Sequence, residues 1–106
     1  MQERSRADNG RVDEPVVARP RLLSPTSFSD AKTLADDYKA LVPVVLNLRG
    51  VEREVARRLI DFASGICYAL DGSMEKLAAQ VFLLTPRSVV VSDDDRRRLE
   101  ERDYGR

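Results

Sequence analysis

The sequence predicts a two-layer α/β sandwich, with two main helices on one face of a small mixed β-sheet in the order β-α-β-α-β-β-β. Three observations carry this expectation. Apolar residues recur at helical spacing in two stretches, residues 31–41 and 51–70. Short apolar runs stand against prolines, with Val44, Val45 and Leu46 following Pro43, and Val81, Phe82, Leu83 and Leu84 running up to Thr85 and Pro86. The two patterns alternate within 106 residues, the length of one small domain.

The elements follow in order. Residues 1–14 hold one sizeable aliphatic side chain after Met1, that of Val12, too little to offset the entropy of ordering. Residues 1–17 are read as a flexible N-terminal tail and residues 18–92 as the α/β domain, with residues 16–19, bracketed by Pro15 and Pro20, an extended linker or the approach to a first strand. Residues 19–24 form a short edge strand, stopped by Pro25. Ser27 or Ser29 caps the first helix, and Asp30, three residues after Ser27, completes a capping-box variant. Ala31, Leu34, Ala35, Tyr38 and Leu41 share one face of that helix, and Pro43 ends it. Residues 44–48 then read as a central strand that Gly50 closes.

The helix over 51–70 carries two apolar stripes. Val51, Val55, Leu59, Phe62 and Ile66 make one; Ala56, Ile60, Ala63, Cys67 and Leu70 make the other. Packing on one sheet face needs only one stripe. The second stripe implies burial from two sides, and a second subunit is the expected cover. Gly65 sits mid-helix, where glycine costs ~1 kcal/mol relative to alanine. It either admits a neighbouring helix at close range or fits under a bulky core side chain. The first reading makes Leu59, Phe62, Gly65 and Ile66 an oligomer interface.

Asp71 and Gly72 close this helix. Residues 74–80 favour helix by local propensity, but the segment is short and leads straight into the buried-strand pattern of residues 81–85. Residues 88–91 read as a last strand, joined to it by a tight turn at Pro86 and Arg87. Residues 93–106 read as a charged C-terminal tail or short solvated helix. Ser92 or Asp93 caps it, pairs such as Asp94–Arg98 support it, and Leu99 and Tyr104 are its chief anchors.

Composition narrows the function. Eighteen basic residues balance eighteen acidic ones, and no segment has the one-sided basic footprint that neutralises phosphates, so no nucleic-acid partner is expected. The chain has no histidine, which removes the commonest general base and metal ligand. Its single cysteine, Cys67, cannot form an internal disulfide, and a reducing cytoplasm suits it. No apolar run approaches the ~18 residues that span a bilayer.

The side chains that invite chemistry have plainer readings. Cys67 lies on an apolar helix face and reads as a buried structural thiol. Asp93, Asp94 and Asp95 are followed directly by Arg96, Arg97 and Arg98 and read as a solvated helix start, so no metal site is expected. Arg53, Arg57 and Arg58 are interleaved with Glu52 and Glu54 and read as a solvated face. No glycine-rich phosphate loop or catalytic motif is present, and neither an enzyme nor a cofactor is expected.

The ordered combination of PVVLNL (43–48), ARRLIDFASGICYALDGSMEKL (56–77), VFLLTP (81–86) and SVVVS (88–92) resembles the C-terminal domain of the SepF family of cell-division proteins. The resemblance covers roughly residues 18–92 and includes Pro25 and the Ser27–Ala31 helix start. It implies a non-enzymatic protein that binds the C-terminal tail of FtsZ, the tubulin-like division GTPase. It also implies a homodimer that polymerises further and so bundles and aligns FtsZ filaments in the Z-ring at the septum. In the family the segment matching 74–79 is a strand, and that reading is preferred here to the local helix propensity. The family's tail-binding positions match Lys76 and Phe82. Many members tether the ring to the membrane through an N-terminal amphipathic helix. Residues 1–14 offer no apolar face, so direct membrane binding is not expected of them. A small-molecule-binding regulatory α/β domain of a dimeric protein is the alternative. It needs a polar pocket at the dimer seam, for which the sequence shows no cluster. An RNA-binding sheet would need exposed strand aromatics and a basic face.

Overall fold

The computed structural model describes residues 14–104; residues 1–13 of the expected tail lie outside them. The elements are β1 (Val16–Val17), β2 (Arg21–Leu23), a 3-10 turn (Phe28–Asp30), α1 (Ala31–Lys39), β3 (Val44–Asn47), α2 (Arg53–Ala69), β4 (Ser73–Ala78), β5 (Val81–Thr85), β6 (Val89–Val90) and α3 (Asp93–Glu101). Four strands form one mixed sheet in the order β2-β3-β5-β4. The β2–β3 pair is parallel, with α1 as the crossover; β3–β5 and β4–β5 are antiparallel.

Alternation along the strands sorts the core onto two faces. Val44, Leu46 and Leu84 pack with Leu34, Tyr38, Ala56, Leu59, Ala63 and Cys67 under α1 and α2. Val45, Val81 and Leu83 point the other way and meet Val91 and Tyr104. The sandwich of helices on a mixed sheet is as the sequence predicts. Its back face differs: the C-terminal segment is not merely solvated. Ser92 caps α3 by accepting from the Asp95 amide at 3.1 Å. Leu99 and Tyr104 then pack against the back cluster, and Arg96 pairs with Glu75 on β4. The ion pairs within α3 are Arg97–Asp94 and Arg98–Asp95, at i,i+3 rather than the expected i,i+4.

Three further expectations are corrected. The last strand does not form a hairpin with β5; β6 pairs in parallel with β1 as a separate two-stranded sheet. Val16 and Val17, inside the expected 1–17 tail and read there as linker or strand approach, supply β1, with the Val16 amide bonded to the Ser88 carbonyl at 2.8 Å. Leu41 is not on the buried face of α1. The helix ends at Lys39, and Leu41 takes a left-handed φ of 66° with its side chain 52% exposed.

Both stripes of α2 are used, and the same chain covers most of them. Glu52 caps the helix by accepting from the Val55 amide at 3.2 Å. Ala56, Ala63 and Cys67 are buried in the main core, with Ile60 partly buried against it. On the other side Phe62 meets Phe28 edge-on at 5.9 Å between ring centroids. Tyr38 ties α1 to the sheet by donating to the Thr85 carbonyl at 3.1 Å. Burial, and secondarily the Cys67 thiol, pushes the Tyr38 hydroxyl well above its ordinary range. Burial also pushes the Cys67 thiol up, as befits a structural cysteine.

Candidate partner-binding face

The β4–β5 hairpin positions the two side chains singled out from sequence. Lys76 lies directly opposite Phe82 in the register, and Phe82 lies opposite Leu46 on its other side. All three therefore project on the helix-bearing face of the sheet. Phe82 is half-buried against the main core, whereas Lys76 is exposed. Among the described residues Lys76 has no carboxylate within ion-pair distance. An aromatic anchor partly open to solvent beside an unpaired cation suits a ligand that is both apolar and acidic.

Residues 79–80 are an unpromising hairpin turn, and their partners lie elsewhere in the chain. Gln80 takes a φ of 61°. Its carbonyl accepts from the Leu48 amide at 2.8 Å, and the Ala79 carbonyl accepts from the Arg49 guanidinium at 3.0 Å. An irregularity between Lys76 and Ala78 sends both Leu77 and Ala78 to the back cluster. Lys76 keeps its place across from Phe82.

The expected interface residues divide. Leu59 is corrected: it is 1% exposed, fills the core of its own chain and presents no surface to a second one. Phe62 and Ile66 are half-buried against the same core. Gly65 faces outward, and a Cβ built there would meet nothing within 4 Å, so it does not sit under a core side chain. Tyr68, three residues on and on the same helix face, is 89% exposed. Tyr68 lies outside both apolar stripes, and an aromatic at such a helix position is the signal in the sequence that marks it. Among the described residues no group of acidic and cysteine side chains is placed to hold a metal ion, and no helix is long and apolar enough to cross a membrane.

A helix-covered mixed sheet with this topology defines a class of small α/β domains with solved representatives. The fold matches a SepF-like protein from Archaeoglobus fulgidus with a TM-score of 0.62 at 14% identity, over 74% of this chain and 93% of that one. It matches a SepF-like protein from Pyrococcus furiosus with a TM-score of 0.60 at 18% identity, over 76% of this chain and all of that one. At the sequence level, the family described as cell division protein SepF matches residues 21–91. The chain belongs to the SepF family of cell-division proteins. It is 48% identical over 93 residues to the cell division protein SepF of Rubrobacter xylanophilus, covering 88% of this chain and 50% of that one. It is 46% identical over 79 residues to that of Saccharopolyspora erythraea, covering 74% and 37%. The chain thus spans about half the length of these curated relatives, or less.

Proposed function

We propose that this protein binds the C-terminal tail of FtsZ on the face that carries Lys76 and Phe82. By pairing and polymerising, it would align FtsZ filaments in the division ring, on the cytoplasmic side of the septum. The observation that carries this reading is the direct cross-strand pairing of an unpaired lysine with a half-open phenylalanine. These are the two positions at which the family resemblance expects the tail. Acidic and apolar groups of such a tail would meet a cation and an aromatic anchor side by side.

The pairing surface is the outer face of α2. Ser64, Gly65, Tyr68 and Ala69 are all exposed there, and the missing side chain at Gly65, with small Ser64 and Ala69 on the same face, lets a second helix approach beside Tyr68. A symmetric dimer formed this way places two tail-binding faces on one particle, which is the minimum needed to link filaments. Titration of the full chain with a labelled FtsZ tail peptide from the same cell tests the reading. Saturable, modest affinity is expected, and a wild-type protein that ignores the peptide overturns it.

A further inference from the structure

Arg53, Arg57 and Arg58 form one basic cluster in the sequence, and the fold divides it. Arg58 turns toward the 3-10 turn and lies over the Phe28 ring, 4.1 Å from its centroid. Arg53 and Arg57 turn to the other side of α2. There, with Ala56, Ile60, Asp61 and Gln80, they line a notch of about 280 Å³ between the helix and the β4–β5 turn. Ala56 is 3% exposed and Ile60 half-buried, which gives the notch an apolar floor. Lys76 and Phe82 do not line the notch, but Phe82 stands two residues beyond Gln80 on β5, and both Phe82 and Ile60 pack against the main core.

Cations outnumber acids in the lining of this notch, two arginines to one aspartate. Among the described residues, Arg53, Arg57 and Lys76 have no carboxylate within ion-pair distance, and Asp61 is the one acidic side chain in the lining. Arg53 opens α2, and the first turn of a helix adds partial positive charge. We infer that the notch is a specificity subsite for an acidic side chain of the bound peptide, with Arg53 and Arg57 gripping its carboxylate while a neighbouring apolar group rests on Ile60 and Phe82. The inference rests on the tail-binding reading of the Lys76–Phe82 face. Arginine suits the task because its planar fork can hold a carboxylate through two hydrogen bonds.

The test uses the full chain and two labelled peptides: the acidic tail, and the same peptide with each Asp and Glu replaced by Asn and Gln. Arg53→Gln and Arg57→Gln should each weaken the acidic peptide about three- to fivefold at 0.1 M salt, the range for exposed charge pairs. They should leave the neutral peptide unaffected, and the loss should fade toward 1 M salt. Arg58→Gln should bind both peptides as wild type does. All three arginines are exposed, so the variants should melt close to wild type. Wild-type affinity of Arg53→Gln and Arg57→Gln for the acidic peptide overturns the subsite, as does equal weakening of both peptides. Failure of the underlying reading looks different. If Lys76→Glu leaves binding unchanged while the two arginine variants weaken it, the notch stands and the Lys76–Phe82 face falls. A wild type that binds neither peptide overturns both.

Discussion

Gly65→Lys should move fold stability and assembly in opposite directions. The position lies within the seventeen-residue helix α2, and nothing stands within 4 Å of a Cβ added there. The substitution therefore meets no steric cost within the chain. It removes the helix penalty of glycine, a gain of roughly 0.5–1 kcal/mol. For a domain of this size, 1 kcal/mol moves the melting temperature by about 4–8 °C. A dilute, monomeric sample of the variant should thus melt a few degrees higher than wild type at the same dilution. At working concentration the order should reverse. A lysine on the outer face of α2 would hold a second helix away, or strand its charge between the two at a cost of several kcal/mol, roughly. Wild-type melting temperature should rise with concentration, because dimerisation stabilises the folded state, and that of the variant should not. Circular dichroism melts across a concentration series, run beside sedimentation velocity, give both readouts. A variant that assembles like wild type refutes the pairing surface. A variant that melts lower even when dilute refutes the outward placement of Gly65.

Other outcomes follow from single contacts. Gly72→Ala should be strongly destabilising, because the added methyl would collide with the Tyr38 hydroxyl and come within 2.6 Å of the Thr85 carbonyl; a wild-type urea midpoint would refute that close approach. Lys76→Glu should weaken tail binding more at low salt than at high salt, whereas loss on Phe82→Ala should be nearly independent of salt. Phe82 also packs on the main core, so its melt must be read with its binding curve; a variant that melts and binds like wild type refutes its role. Tyr38 and Cys67 are both held above their ordinary pKa values of 10.0 and 9.0. Each favours the folded state while protonated, so that part of the stability is complete below the unfolded pKa values. It should be lost as pH rises above about 9 and on past 10. Urea midpoints from pH 7 to 11 check this; a flat profile, or an identical slope in Tyr38→Phe, counts against it.

Much of the architecture is legible in the sequence because its signals are local. Pro43 and Pro86 bound strands through fixed φ and a missing amide, and Ser92 caps α3 through a hydroxyl three residues from its donor. The 3.6-residue period marks both main helices within one or two residues of their ends. For residues 73–78 local propensity pointed to helix and family resemblance to strand; the strand prevails, edge-paired with β5, while its turn is held by Leu48 and Arg49. The tertiary structure decided what depends on partners distant in the chain. Val16 and Val17 look like tail until Val89 and Val90 come alongside, more than seventy residues away. The two stripes of α2 call for cover on two sides, and only the fold shows that Phe28 and the sheet of the same chain supply most of it. Three arginines within six residues look like one solvated cluster until an aromatic ring draws Arg58 one way and leaves Arg53 and Arg57 on the other. Backbone sterics and periodicity act over a few residues and can be read from them. Pairing register, layer order and the division of a helix surface depend on contacts between distant segments, which no short window of sequence contains.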